Sequence, residues 1–376
     1  MSLTLTNARI VTETEVVAGS LHLRDGLIAG IAEGPATGED MEGDLIVPGA
    51  VELHTDHLEN HLHPRPKVRW NLDAAIQAHD AQVATAGITT VFDALRVGHE
   101  GDGDMDPASV AETAGRIARA EAGGWLRAEH FIHLRCEVSL PGVQEEFEAI
   151  ADNPRVRLAS LMDHAPGQRQ FASLEAYRIY YQGKKRLSDP EFAAYSERRM
   201  AQSLAHADAN RRALSSLCHG RGIALASHDD ATAAHVEESL ALGVALAEFP
   251  TTVEAAVLSH RAGLHVLMGA PNVVRGGSHS GNVSASDLVG HGALDILSSD
   301  YVPASLLIAA ALLAERGAMG LPEAMRLVSA NPAAAAGLTD RGRIAPGLRA
   351  DLVRLRPLPG GPPRVICVWR QGRRVA

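Results

Sequence analysis

The chain has 376 residues, a hydrophobic content of 46% and a formal net charge of −10 at pH 7. This acidic balance argues against a general nucleic-acid binder, which needs a basic face, and no apolar stretch is long enough to span a bilayer. The three cysteines lie far apart, as is typical of reduced thiols, and no secretory signal is recognised. We therefore expect a cytoplasmic protein that binds neither nucleic acid nor membrane, and homo-oligomer formation is compatible with the sequence.

Short strands are predicted at both ends of the chain. Residues 3–11 and 20–28 alternate apolar and polar side chains, and the second segment contains an Asp-Gly turn. A comparable block closes the chain at residues 342–353 and 364–370. Because neither end has enough strands for its own core, we expect residues 1–46 and 338–376 to pair into one small, discontinuous β-sandwich domain.

The middle of the chain, residues 47–337, alternates strands with helices. Repeated βα units with nearly continuous apolar strands predict an α/β fold with a parallel sheet, and eight units predict a closed (β/α)8 TIM-like barrel. A doubly wound open sheet is the alternative, but it would usually show a glycine-rich turn after the first strand, where this chain has histidines. The long connection at about 166–217 predicts a helical insertion. The eight predicted strand segments are 45–51, 88–94, 130–138, 156–164, 223–228, 244–249, 264–269 and 293–300.

Titratable side chains stand at the ends of these strands. Side chains alternate along a strand, so His54 and Asp56 project from the same face and form a pair suited to a divalent metal. The carboxyl ends of barrel strands meet at one rim, so we expect a set of ligands there for one or two ions. Such an ion lowers the pKa of water, and a carboxylate must then accept the proton. The other strand-end residues are Asp93, Glu137, Asp163, His164, His228, Glu248 and Asp300.

Several of these residues have a structural alternative. His164 could orient a ligand together with Asp163 rather than be one, and His228 could precede a helix cap formed by the following aspartates. Asp93 is interpreted as a supporting side chain and Glu248 as structural. Seven further histidines are interpreted as ordinary core or surface residues: His130, His133, His206, His219, His235, His260 and His265.

A second group of residues is suited to an anionic substrate. Basic side chains follow the first strand and recur in the insertion, and a glycine-rich segment with small polar donors, residues 270–284, follows the seventh strand. For any single member, a solvated surface position is the simpler interpretation. The candidate substrate-binding residues are Arg65, Lys67, Arg169, Lys184, Arg186, Arg275, Ser278 and Ser280.

The chain resembles the amidohydrolase superfamily. The resemblance is carried by the metal motif after the first strand, the histidines and the aspartate at later strand ends, Ser329-Ala-Asn-Pro-Ala333, and the Gly342-x-Ile-x-x-Gly347 block. Within that superfamily it is similar to the diphosphatases of the carbon–phosphorus lyase pathway for phosphonate use. The segments that carry this closer similarity are 54–67, 78–81, 87–94, 134–137, 162–168 and 227–229.

This resemblance implies a metal-dependent hydrolase that cleaves α-D-ribose 1-methylphosphonate 5-triphosphate to the 5-phosphate and pyrophosphate. It implies two divalent ions, zinc in the first place, with manganese or iron as alternatives because a carboxylate in the first pair hardens the site. Two other functions stay open: another amidohydrolase activity (deacetylase, deaminase or cyclic-amide hydrolase) and a non-catalytic binding scaffold. The implied metal ligands are His54 and Asp56, His164 and His228, a shared Glu137, and Asp300, which would also be the catalytic base.

Overall fold

The computed structural model describes residues 2–100, 106–170, 174–185, 187–278 and 281–376. The chain divides into two compact units. One contains the residues up to Asp93 together with Arg116–Phe131 and Met268–Ala376, and the other contains Ala94–Gly115 and Ile132–Leu267. The predicted domain boundaries at residues 46 and 338 stay a prediction. Among the described helices, none combines the length and the apolar composition that a bilayer crossing requires.

The described residues form sixteen strands, numbered in chain order. They are β1 (Ser2–Val11), β2 (Val16–Arg24), β3 (Leu27–Glu33), β4 (Glu39–Asp40), β5 (Leu45–Pro48), β6 (Ala50–Thr55), β7 (Ile88–Val97), β8 (Glu129–Glu137), β9 (Val156–Met162), β10 (Ala224–His228), β11 (Leu246–Glu248), β12 (His265–Gly269), β13 (Ile296–Ser298), β14 (Leu352–Leu358), β15 (Gly361–Arg370) and β16 (Arg373–Arg374).

The same residues form thirteen helices. They are α1 (Leu58–Leu62), α2 (Leu72–Thr85), α3 (Pro107–Ala122), α4 (Val143–Ala151), α5 (Leu174–Lys185), α6 (Asp189–Arg221), α7 (Ala233–Ala241), α8 (Val253–Arg261), α9 (Ala270–Arg275), α10 (Ala285–Gly290), α11 (Ser305–Glu315), α12 (Leu321–Arg326) and α13 (Ala330–Ala335).

Strands from both chain ends make one eight-stranded sheet in the order β16-β15-β14-β5-β1-β2-β3, with β4 beside β1. The hairpin between β2 and β3 turns at Asp25 (φ 53°) and Gly26 (φ 85°), the left-handed pair that a two-residue hairpin requires. Leu5, Leu21 and Trp369 are fully or nearly fully buried in its core. The prediction that strands from both chain ends pair into one small β-structure is therefore confirmed.

The second eight-stranded sheet follows the chain order from β6 to β13, so successive strands are neighbours. Its strand pairs, such as β9 with β10 and β10 with β11, are parallel. A parallel bridge between Thr55 and Asp300 joins the end of β6 to the residue after β13 and closes the sheet. This is the topology of a (β/α)8 barrel and confirms that prediction.

The first predicted barrel strand differs in detail, because residues 45–51 divide between the two sheets. β5 pairs with β1 and β14 in the terminal sheet, whereas β6 pairs with β7 in the barrel. Gly49 stands between them, and a Cβ atom there would lie 2.3 Å from Thr89 Oγ1. Only glycine allows the backbone to pass this close to β7.

The predicted insertion contains α5 and the 33-residue helix α6. Ser188 and Glu191 form a capping box at the start of α6, and Gly222 (φ 66°) ends it in the left-handed conformation. Polar side chains on one face of α6 are buried, among them Arg199 and Arg211. A long helix with a buried polar face needs carboxylate partners on the strands it covers.

Candidate metal centre

One group of predicted residues lies where β6 and β13 meet. His54 is 1% exposed and Asp56 is half-buried. Ser298 Oγ lies 2.7 Å from Glu52 Oε1 and 2.6 Å from the His54 carbonyl oxygen, and burial raises the pKa of Glu52 to about 7. Thr55 Oγ1 donates to the Asp300 carbonyl oxygen at 2.6 Å. The structure thus brings the ends of the strands that carry His54, Asp56 and Asp300 together.

Asp300 has an unusual backbone conformation. Its φ of 55° lies in the left-handed region, and its N–H donates to Ser298 Oγ at 3.2 Å. Aspartate tolerates this region better than most residues, but a non-glycine residue held there is uncommon and often occurs at a functional site. The backbone therefore supports a functional role for this aspartate independently of its side chain.

A second group lies in the other compact unit, at the ends of β9 and β10. His164 Nε2 and His228 Nε2 lie 3.7 and 3.5 Å from Asp229 Oδ2, and the three ligand atoms lie within 4.8 Å of one another. His164 Nε2 and Asp229 Oδ2 are buried and make no hydrogen bond with any residue that the structure describes. Atoms that share a divalent cation at about 2.0–2.2 Å have separations of this size. This donor set fits a divalent metal.

A buried carboxylate contacts the Nδ1 atom of each of these two imidazoles, on the side of the ring opposite to Nε2. His164 Nδ1 lies 2.8 Å from Glu137 Oε2, and His228 Nδ1 lies 3.2 Å from Glu248 Oε2. A proton on each Nδ1 leaves the Nε2 lone pair available as a ligand. Carboxylate–histidine pairs of this kind fix the ring and the tautomer in metal sites.

Glu137 accepts hydrogen bonds from several neighbouring groups. Its Oε1 accepts from Ser139 Oγ at 2.6 Å, from the His164 N–H at 3.0 Å and from Arg199 Nη2 at 3.1 Å. Burial alone would raise the pKa of this carboxyl, but His164 and the arginines hold it well below its usual range. The predicted strand positions hold, because Glu137 ends the third barrel strand and His164 follows the fourth.

Burial and neighbouring charges act in opposite directions on the pKa values of His164 and Asp229. Burial alone would lower the pKa of His164, but Glu137 and Asp229 outweigh it and raise that pKa. Burial would raise the pKa of Asp229, but His228 and His164 lower it below its usual value. The aspartate is therefore an anion at neutral pH and available as a ligand.

Comparisons with known proteins show the family to which the chain belongs. The sequence profile described as "Amidohydrolase family" matches residues 161–376. A relative from Escherichia coli (strain K12), named alpha-D-ribose 1-methylphosphonate 5-triphosphate diphosphatase, is 48% identical over 376 residues, which are 99% of this chain and 99% of that protein. The chain belongs to the amidohydrolase family. The resemblance inferred from the motifs is confirmed.

Solved structures show the same fold for this amidohydrolase. A Xaa-Pro dipeptidase with bound methionine in the active site has a TM-score of 0.68 at 14% identity, with 100% of this chain and 99% of that chain covered. A 5-methylcytosine deaminase from Klebsiella pneumoniae has a TM-score of 0.65 at 15% identity, with 100% and 98% covered. At these identities the likeness concerns the fold alone.

The predicted substrate-binding residues of the amidohydrolase have different surroundings. Arg65 and Lys67 are exposed in a tight turn in which the Val68 N–H donates to the Arg65 carbonyl oxygen at 3.0 Å. Arg169, in contrast, is buried, and its guanidinium is paired with Asp230 and Glu238. Its charge is thus already balanced by carboxylates.

The remaining candidates lie in the insertion and after β12. The glycine-rich segment after β12 begins as the short helix α9, and exposed Arg275 ends that helix. Ser278 is half-buried just beyond it. Lys184 belongs to α5, but its side chain lies outside the described part of the chain, as do Arg186 and Ser280 altogether.

The sequence did not predict that Asp229 lies beside two histidine nitrogens, or that Glu248 lies beside His228 and His133. Asp229 was considered only as part of a possible helix cap, whereas Thr232 caps α7. Glu248 Oε1 lies 3.8 Å from His133 Nδ1, so this fully buried carboxylate faces two histidines. Asp229 could have been predicted as a candidate ligand, because it directly follows a histidine at a strand end. No local sequence pattern distinguishes Glu248 from a structural residue.

A separate buried cluster involves Asp93. Its two oxygens each lie 2.7 Å from a histidine nitrogen, one from His79 and one from His130, and His130 also lies 3.4 Å from Asp80. Burial would lower the pKa of His130, but the two carboxylates raise it to about 10. These are hydrogen-bond distances, so we interpret the cluster as a charged network that holds α2 against β7 and β8.

Proposed function

We propose that this amidohydrolase is a diphosphatase that cleaves α-D-ribose 1-methylphosphonate 5-triphosphate to the 5-phosphate and pyrophosphate. The observation that carries the proposal is the 48% identity, over 99% of both chains, to the protein of that name. The cluster of His164, His228 and Asp229 supports it, because hydrolysis of an anhydride at neutral pH requires an activated water.

We propose two divalent ions per chain. His164, His228 and Asp229 would hold one, and His54 and Asp56 would hold the other. In support of this, each set stands at or just after the carboxyl end of a barrel strand, which is where such enzymes carry their active sites. Mixed imidazole and carboxylate donors favour zinc, with manganese or iron as alternatives.

Glu137 has a different role in this proposal from the shared ligand that the resemblance implied. Its oxygens already accept from His164, Ser139 and Arg199, which supports an orienting function. Glu248 would orient His228 in the same way. Asp229 then supplies the carboxylate that the second ion requires.

Divalent cations, when bound, lower the pKa of water and neutralise charge on phosphate oxygens. Asp300 would accept the proton of the attacking water and pass it to the leaving pyrophosphate. Water attacks the phosphorus next to the ribose, and the bond from that phosphorus to the bridging oxygen of the departing diphosphate breaks. Arg65 and Lys67, which are exposed and follow the first ligand pair by about ten residues in the sequence, would bind the departing phosphates.

The test is phosphorus NMR of the triphosphate incubated with purified, metal-loaded protein. We expect pyrophosphate and the 5-phosphate in equal amounts. Asp300→Asn should lower turnover by about 10²- to 10⁴-fold, the usual contribution of a general base. Asparagine also tolerates the left-handed backbone at this position, so the variant should keep its fold.

His291→Ala is the matched control, because this histidine is exposed at the end of α10. It should turn over at the wild-type rate. Release of ammonia or acetate from a panel of amides, without pyrophosphate release from the triphosphate, would refute the proposal in favour of another amidohydrolase activity. Near-normal turnover of Asp300→Asn would remove the aspartate from the role of base. A cytoplasmic location and homo-oligomer formation stay predictions.

A further inference from the structure

Helix α6 of the insertion buries polar side chains along the face that meets the barrel strands. Arg199 is 1% exposed, and Ser203, Asn210 and Arg211 on the same helix are also buried. A helix that packs on a sheet normally presents an apolar face, because a buried charge is costly unless it is paired. The contacts of these side chains therefore indicate what the polar face is for.

Arg199 contacts the carboxylate that orients a proposed metal ligand. Its Nη2 donates to Glu137 Oε1 at 3.1 Å and to Ser139 Oγ at 2.8 Å, and Ser139 Oγ donates in turn to the same Oε1 at 2.6 Å. Its Nε lies 3.0 Å from Glu100 Oε1. The guanidinium is thus held between two carboxylates and a hydroxyl.

These contacts restrict how Glu137 can turn. Oε1 accepts from Ser139, from Arg199 and from the His164 N–H at 3.0 Å, which leaves Oε2 directed at His164 Nδ1, 2.8 Å away. The ring of His164 consequently presents Nε2 on the side of Asp229, at 3.7 Å from its Oδ2. Arg199 on α6 thus contacts Glu137, and Glu137 contacts the ring whose Nε2 is the proposed ligand atom.

We propose that Arg199 is a positioning residue that holds Glu137, and through it His164, in the orientation that binds metal. This inference rests on the metal site proposed above. It makes the insertion part of the metal centre: without α6, the carboxylate behind His164 would lose one of its charged donors. Replacing the partners behind a metal-bound histidine typically weakens metal binding by about 10- to 100-fold.

The test measures metal affinity rather than turnover. Metal-free wild type, Arg199→Met and Arg199→Lys are titrated with Zn²⁺ against a chromophoric chelator, and the visible absorption of the Co²⁺ forms is recorded. Methionine keeps the apolar stem without charge or donors, so we expect about 10- to 100-fold weaker binding of one ion and a changed Co²⁺ spectrum. Lysine keeps the charge but not the fork that reaches both acceptors, so we expect an intermediate loss.

Arg211→Met is the matched control. Arg211 is buried on the same helix and pairs with Asp163 and Asp208, each at 3.0 Å, and neither of these partners is Glu137. We expect this variant to lose stability and to keep its Zn²⁺ affinity within about threefold. An equal loss in Arg211→Met and Arg199→Met would mean that the arginine acts only through general stability, and the proposal would be wrong.

The remaining outcomes also separate the hypotheses. Wild-type affinity in a folded Arg199→Met would overturn the positioning role while leaving the proposed function intact. If Arg199→Met does not fold, Arg199→Lys decides, and a loss of less than about twofold overturns the role. A wild-type protein that binds no divalent cation would instead overturn the proposed function itself.

Discussion

Replacing Ser298 by alanine tests the hydrogen bonds that close the barrel. The serine is fully buried, and its Oγ lies 2.7 Å from Glu52 Oε1 and 2.6 Å from the His54 carbonyl oxygen while accepting from the Asp300 N–H at 3.2 Å. Alanine fits the same space but offers neither donor nor acceptor. The substitution therefore removes the side-chain hydrogen bonds of Ser298 between β6 and β13 without leaving a large cavity, while the bridge between Thr55 and Asp300 remains.

The expected cost follows from the groups that lose a partner. A hydrogen bond to a carboxylate contributes about 2 kcal/mol, and the partly buried Asp300 N–H left without an acceptor costs about 1 kcal/mol more, so we expect a loss of about 3 kcal/mol. At about 2.1 cal/mol/K per residue, the entropy of unfolding of this chain is about 0.8 kcal/mol/K, which converts that loss to about 4 °C. Turnover should fall as well, because Asp300 loses the acceptor of its own N–H.

The assay is thermal unfolding of the metal-free protein at pH 8.5, where Glu52, with a pKa of about 7, is ionised. Ser259→Ala is the control, since Ser259 is fully buried on α8 and its Oγ makes no hydrogen bond with any residue in the described part of the chain. We expect that variant within about 1 °C of wild type. If Ser298→Ala has the same melting temperature as Ser259→Ala, the hydrogen bonds of Ser298 between β6 and β13 do not stabilise the barrel as argued.

Three further predictions concern packing, pH and metal. Gly49→Ala should destabilise the protein by about 1–3 kcal/mol in thermal unfolding, because the added Cβ would lie 2.3 Å from Thr89 Oγ1; a neutral result would contradict the close approach. Burial would raise the pKa of Glu129, but Arg341 and Arg349 lower it to about 2 from 4.5. Its stabilisation, on the order of 3 kcal/mol, is thus fully present above pH 4.5 and lost as the pH falls toward 2, and Glu129→Gln should flatten the acid limb of a stability–pH profile. Chelation should abolish pyrophosphate release and lower the melting temperature, and zinc should restore both; activity that survives complete metal removal would contradict the proposed site.

Much of the architecture was predictable because its signals are local. Alternating strands at both chain ends, apolar strands followed by helices, and the Asp25-Gly26 turn each depend on a few neighbouring residues, and each is present in the structure. The family motifs, such as His54-x-Asp56, are equally local. Strand ends also locate the candidate ligands, because the carboxyl ends of barrel strands share one rim.

The roles within the site depended on contacts between distant residues. The resemblance implied that Glu137 is a shared ligand. The orienting role proposed above depends instead on the approach of α6, some 60 residues later in the chain, which brings Arg199 to Glu137 Oε1 and leaves Oε2 for His164. Asp229 became a candidate ligand only because two histidines at the ends of different strands lie close to it in the structure.

A strand pattern states which residues leave the sheet on the same side, because the alternation of side chains is a property of the backbone. The pattern does not predict which carboxylate oxygen contacts which imidazole nitrogen. That choice depends on the stagger between strands and on the packing of a helix from another part of the chain, and differences of about 1 Å there separate a ligand from the residue that orients it. The barrel and its candidate ligands could therefore be read from the chain, whereas the pairing of carboxylates with imidazoles required the folded structure.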